Sequence, residues 1–209
     1  MGQAGEDAPR LVYVIDDNAD MRRSLHFLLD TLGMASRPFA SSEDFLEIVS
    51  TLQEWPLLLD LRMPRIDGIQ LMVELKDRHL DWPVVVMTAH GDVPVAVRAM
   101  KLGAIEFLEK PFESDELEAA LERAFAAVAD HRQSNAVQAA AMERLARLTP
   151  RETDVVARMA EGTLSKVIAH DMALSARTIE MHRANALEKL DVRNLAELIA
   201  LLKDAAPGG

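Results

Sequence analysis

The chain has 209 residues, with 34 acidic against 23 basic side chains, nine glycines, nine prolines and no cysteine. The absence of thiols excludes disulfides and thiolate chemistry and fits a reducing compartment. No apolar run reaches the roughly 18 residues of a membrane span, and the polar, acidic start MGQAGEDAPR does not read as a signal peptide. The expectation is a cytoplasmic protein with no membrane partner. Charge is unevenly placed: residues 1–143 hold 25 acidic and 13 basic side chains, whereas residues 144–209 hold 9 and 10. Such a split points to two modules with different partners.

Residues 1–9 read as a mobile tail. Leu11–Ile15 (LVYVI) is a short β-rich run ending in Asp16-Asp17, and Met21, Leu25, Leu28, Leu29 and Leu32 then repeat at helical spacing up to Gly33. Ala35–Phe39 is a weak strand, after which Ser41 or Ser42 caps a helix carrying Phe45, Leu46, Val49 and Leu52. Leu57–Asp60 (LLLD) is apolar on both faces, the mark of a central strand in a parallel sheet. The chain breaks at Pro64 and Asp67-Gly68, and the spacing predicts a helix from about Ile69 to Arg78. Pro83 opens the strand VVVMT, ending at Thr88. A helix follows through Val95, Ala99 and Leu102 to Gly103, then a fifth strand over Ile105–Leu108, ending in Glu109-Lys110-Pro111. From about Ser114 a helix runs through Leu117, Leu121, Phe125 and Val128. Five alternating strand–helix units predict an α/β domain with a doubly wound, five-stranded parallel sheet.

Residues 131–148 contain neither proline nor glycine and can continue the fifth helix as a connecting rod. A three–four spacing from 121 to 145 hints at a coiled coil, but His131, Asn135 and Gln138 interrupt it. Thr149-Pro150-Arg151-Glu152 is a helix start with capping-box spacing. Helices are predicted near 150–160, 164–172, 175–190 and 194–204, joined too tightly for anything but a compact bundle.

Ligands and chemistry in open parallel sheets collect at the carboxyl ends of the strands. There the first strand supplies Asp16 and Asp17, the third Asp60, the fourth Thr88 and the fifth Lys110. Two carboxylates at 4 Å repel by about 4 kcal/mol at an effective dielectric near 20, so the cluster calls for a cation. All-oxygen ligands favour Mg²⁺. The metal, Lys110 and the Thr88 hydroxyl can then neutralise a phosphoryl group moving onto Asp60.

With these residues in view, residues 10–130 resemble a receiver domain of two-component signalling. The resemblance rests on Asp16-Asp17, LLLDLRMP with Asp67-Gly68, VVVMTAHGD and EKPF at 109–112. It implies that Asp60 accepts phosphate from a sensor histidine kinase. It also implies Mg²⁺ held by Asp17, Asp60 and the main-chain carbonyl of Arg62, with Asp16 assisting through water. A cis Lys110–Pro111 bond, a switch made of Thr88 and Phe107, and tuning of dephosphorylation by Arg62 and His90 follow from the same likeness. Such a domain is no enzyme beyond promoting its own phosphorylation from small donors and its slow dephosphorylation. A phosphatase of the haloacid-dehalogenase type would need a second carboxylate where Arg62 stands.

In the second module Ser175 caps SARTIEMHRANALEKL. Ile179, His182, Ala186 and Leu190 form an inward stripe, while Arg177, Glu180, Met181, Ala184 and Glu188 point outward. With the preceding helix and the turn at Ala173-Leu174, this is helix-turn-helix geometry. The pattern LTPRE…G…IA…SARTIE-HRANALEKLDV resembles the LuxR/NarL class of output domains, and HGDVPVAV with HRAN points to the FixJ-like branch of response regulators. The resemblance implies that Glu180, Met181 and Ala184 face bases of promoter DNA. Lys166, Arg177, Thr178, Arg183, Asn185 and Lys189 would contact phosphates, although Ser165 and Val167 replace the Asn and Glu that often flank this lysine in the class. It further implies homodimers on phosphorylation, through about Val95–Glu106 and through a last helix with Leu195, Leu198 and Ile199, and RNA polymerase as a further partner of an activator. The domains expected are thus a receiver over 10–130, a helical linker over 131–148 and a DNA-binding domain over 149–209. The near-neutral second module, with Glu180 and Glu188 outward, keeps a second reading open: a phosphorylation-gated regulator that binds protein rather than DNA.

Overall fold

The structure, a computed structural model, describes residues 10–89 and 93–206. The tail at 1–9 and His90 therefore lie outside the described residues. The chain divides into two compact units that meet between Asp130 and His131.

The first unit alternates β1 (Leu11–Ile15), α1 (Ala19–Thr31), β2 (Ala35–Phe39), α2 (Ser42–Ile48), β3 (Leu57–Asp60), α3 (Gly68–Asp77), β4 (Val84–Ala89), α4 (Val93–Lys101), β5 (Glu106–Lys110) and α5 (Ser114–Leu145). All five strands are parallel, in the order β2-β1-β3-β4-β5. The central β3 is buried at every position, as its two-sided apolar sequence requires. Strand pleating divides the core. Tyr13, Ile15, Leu57, Leu59, Val84 and Val86 pack on the side of α2, α3 and α4. Val12, Val14, Leu58, Val85, Met87 and Leu108 pack on the side of α1 and α5.

Local chemistry sets the boundaries. Asn18 caps α1, Ser41 caps α2, and Asp67 with Gln70 forms a capping box on α3. The fifth strand lies later than the sequence suggests, at Glu106–Lys110 instead of Ile105–Leu108, because its ladder with β4 continues to the Ala89–Lys110 pair. Leu121 and Ala124, the first positions of the hinted coiled-coil seam, are buried in the sheet core, and Val128 is buried too, so none of the three is available to another chain. Arg10 ties α5 to the start of β1, pairing with Glu122 at 2.7 Å and stacking over Phe125 at 4.1 Å.

In the second unit α6 (Pro150–Ala160), α7 (Ser165–Asp171), α8 (Ala176–Lys189) and α9 (Leu195–Ala205) surround a core of Val155, Val156, Ile168, Ile179, Ala186, Leu190 and Leu198. The last turns of α5 join it: Ala141 is buried there and Leu145 packs alongside. Leu198, expected on a dimer face, is fully buried in this core, and only Leu195 and Ile199 of that trio are exposed. The helix period places Leu198 inward once α9 packs on α6.

Gly68 starts α3 against the end of β3. A Cβ there would lie 2.5 Å from the Asp60 carbonyl oxygen and 2.8 Å from the Leu61 Cα, both backbone atoms that cannot swing away. Gly68→Ala is expected to destabilise the first unit by about 1–3 kcal/mol, read as a lower urea midpoint followed by Trp55 and Trp82 fluorescence.

Candidate functional sites

The register of the sheet explains why three side chains converge. Val14 pairs with Leu58, Leu58 with Val85 and Met87 with Leu108, so Asp16, Asp60 and Lys110 lie on the same face at the carboxyl ends of β1, β3 and β5, with β4 between the last two. Lys110 Nζ lies 2.8 Å from Asp16 Oδ2 and 3.2 Å from Asp60 Oδ1. Asp16 is fully buried, accepts from the Asn18 N–H at 2.8 Å, and its carbonyl accepts from Arg22 at 2.6 Å. Asp60 is 9 % exposed, and Asp17 is open to solvent.

Burial holds the Asp60 carboxyl above the usual carboxylate range. Lys110 and the Arg62 N–H pull it down, and the neighbouring Asp16 pushes it up. One ammonium thus serves two close carboxylates, with a third beside them. Oxygens of Asp16, Asp17 and Asp60 lie within 4.8 Å of one another, an arrangement that can hold a metal ion. The donor set is wholly carboxylate, suited to a hard divalent cation.

Thr88 is buried at the end of β4. Because Val86 pairs with Phe107 and Thr88 with Glu109, Thr88 and Phe107 are diagonal neighbours on one face of the sheet. Phe107 is 46 % exposed, with its ring outside the core. Arg62 is exposed just past Asp60, and the Lys110–Pro111 bond is cis. Arg65, in the same β3–α3 loop, has φ 66° and pairs with Glu43 at 2.7 Å.

A second candidate site lies on α7 and α8. Ser175 caps α8 by accepting from the Thr178 N–H at 3.1 Å, and Ala173 turns the chain with φ 53°. Ile179 and Ala186 are buried beneath, His182 is half-buried, and Arg177, Glu180, Met181, Ala184, Asn185 and Lys166 are exposed. Arg183 is half-buried, donating to Ser165 Oγ at 2.5 Å and lying 3.8 Å from Glu180. Lys189 differs from the rest: its Nζ bonds Glu152 Oε2 at 2.6 Å. Glu152 is 3 % exposed and closes the capping box with Thr149. The Lys189 hydrogen bond, then the Thr149 N–H, hold its carboxyl down at about 2. That ammonium is engaged within the fold.

Residues 12–122 match the family of response regulator receiver domains, and residues 146–202 match the bacterial regulatory proteins of the luxR family. The transcriptional regulatory protein FixJ of Bradyrhizobium diazoefficiens is 44 % identical over 190 residues, covering 91 % of this chain and 93 % of its own. The chain belongs to the FixJ-like response regulators. It joins a receiver to a LuxR-type DNA-binding domain. Among solved structures, the response regulator StyR is similar at TM-score 0.77 and 39 % identity, covering 94 % of this chain and 99 % of that one. Full-length FixJ from B. japonicum is similar at TM-score 0.59 and 43 % identity, over 93 % and 96 %. No helix among the described residues is long and apolar enough to cross a membrane.

Sequence reasoning assembled the receiver pocket because each residue ends a strand. It missed the Glu152–Lys189 bond, which joins the first turn of α6 to the last residue of α8, 37 residues away. The signal available was Glu152 itself, a capping-box acid followed by the apolar Val155 and Val156.

The raised Asp60 carboxyl has a consequence for stability. An acid with a folded-state pKa above its unfolded value is a burden when ionised, and the burden disappears as pH falls through the folded value. Metal-free Asp60→Asn is therefore expected to melt a few degrees above wild type at neutral pH. The difference should shrink as the buffer is made acidic, in thermal melts across that range.

Proposed function

We propose that Asp60 is the phosphoacceptor of a sensor histidine kinase and that its phosphorylation raises sequence-specific binding of promoter DNA. The observation carrying this reading is the convergence of the Asp16 and Asp60 carboxylates on the one Lys110 ammonium, with Asp17 alongside. An Asp60 carboxylate oxygen attacks the phosphorus of phosphohistidine. The N–P bond breaks, the imidazole leaves with its electron pair, and an acyl phosphate forms. Lys110 then stands beside the new phosphoryl oxygens and Thr88 donates its hydroxyl to another. Asp16, Asp17, Asp60 and the Arg62 carbonyl would hold Mg²⁺, which supplies charge neutralisation for the transfer. The same chemistry accepts a small acyl phosphate, and Arg62 and His90 set how readily water attacks the product.

The switch is a shift between existing states. When Thr88 turns to the phosphoryl group, the Phe107 ring takes the space it leaves, and the α4–β5 face bearing the exposed Val97 and Met100 becomes a dimer surface. Dimerisation suits an output domain that lacks the strong positive charge of a tight single-copy binder. In that domain Glu180, Met181 and Ala184 read bases, and Lys166, Arg177, Thr178, Arg183 and Asn185 contact phosphates. Lys189, held by Glu152, supports α8 instead. The working boundaries are a receiver over 10–130, a helical connection over 131–148 and an output domain over 149–209. The setting is the cytoplasm, with RNA polymerase as the final partner of an activator.

The test is binding of duplexes selected from a random pool, with Mg²⁺ and with or without an acyl phosphate donor. The donor is expected to tighten specific binding of wild type about tenfold or more and to leave Asp60→Asn unchanged, since both half-sites must be engaged together. A phosphorylated wild type that selects no duplex over random DNA would move the output to a protein partner.

A further inference from the structure

The connecting stretch carries a group that grips the far end of the helix read above as the DNA reader. Arg144, three turns into the second unit along α5, donates to the carbonyl oxygens of Leu190 and Asp191, the latter at 2.8 Å. Leu190 is the C-cap of α8, and Asp191 turns the chain with φ 50°, a left-handed conformation that a β-carbon disfavours. The last carbonyls of a helix have no partner within it and carry the negative end of its dipole. A guanidinium there satisfies both carbonyls with charge-assisted bonds. The grip rests on a firm base. Gln138, Ala141 and Leu145 step by three and four along one side of α5, and Leu148 follows in the turn just past its end. Gln138 bonds the Ala206 carbonyl at 3.0 Å, Ala141 is buried, and Leu145 and Leu148 pack on the helical core.

We infer that residues 138–148 are a working part of the output domain, and that Arg144 is a positioning residue that fixes the C-terminal end of α8 and so the register in which Glu180, Met181 and Ala184 meet a base edge. This rests on the reading of α8 as the DNA reader. Arg144 is engaged with main-chain carbonyls, so it contributes no phosphate contact. Lys166 and Arg177, which would supply much of the non-specific attraction, sit at the start of α7 and of α8, away from the clamp.

The experiment uses the full chain, activated with an acyl phosphate and Mg²⁺, on selected and random duplexes across a salt series. Arg144→Ala is compared with Arg144→Lys, which keeps a donor, and with Arg147→Ala, which removes a surface partner of Glu143. In Arg144→Ala the ratio of specific to non-specific affinity is expected to fall about tenfold, the scale of losing charge-assisted bonds to the backbone. The slope of affinity against salt should stay as in wild type, Arg144→Lys should recover most of the ratio, and Arg147→Ala should match wild type. Hydrogen exchange gives a second readout without DNA: amides over 186–192 should exchange faster in Arg144→Ala while those of α6 stay protected. An unchanged ratio, a shallower salt slope, a lysine variant no better than alanine, or unchanged exchange over 186–192 would each overturn the inference. If wild type selects no duplex, the DNA reading fails, and the exchange result still decides whether Arg144 holds α8.

Discussion

Everything in the first unit answers to one electrostatic problem: close carboxylates at the mouth of a parallel sheet, with a single ammonium between two of them. Asp16 is fully buried and Asp60 nearly so, yet Lys110 is the only cation in contact with both among the described residues. A carboxylate pair at about 4 Å repels by some 4 kcal/mol even at an effective dielectric near 20. Burial raises the strain further by withdrawing water, and Asp60 registers it as a carboxyl that resists ionisation. A site built this way favours any event that adds positive charge or spreads negative charge. Cation binding and phosphoryl transfer are two such events, and both would relieve the stability that the fold gives up at this edge.

The sheet makes that placement unavoidable. Parallel strands end together, and their pleat sends alternate residues to opposite faces. Asp16, Asp60 and Lys110 share one parity with Val14, Leu58 and Leu108, whereas Thr88 and Phe107 share the other. Thr88 thus lies one residue past the Asp60–Met87 pair, on the sheet face that it shares with Phe107.

Much of this was legible in the primary sequence. Strands of continuous apolar residues bounded by Asp, Thr and Lys mark both the sheet and the end where its polar residues gather, and the helix caps at Ser41, Thr149 and Ser175 are local signals. The shift of β5 toward Lys110 was not legible, because strand length there depends on a ladder with β4. Nor were the two cations that fasten α8. Lys189 meets Glu152 and Arg144 meets Asp191 across 37 and 47 residues, and hydrophobic periodicity carries no information about which charge finds which partner. Both were hidden for the same reason: on a helix, a charged residue reads as solvated until the packing of its neighbours is known. Leu198 shows the converse, an apolar residue assigned to an interface that the bundle core claims instead.

Whether the cluster makes Asp60 a phosphoacceptor is decided by peptide mapping after incubation with an acyl phosphate and Mg²⁺. One added phosphoryl group is expected on the peptide containing Asp60, absent when the cation is chelated and absent in Lys110→Ala under the same brief exposure. A phosphoryl group on another residue, or on Asp60 at the same rate without the cation, would contradict that role.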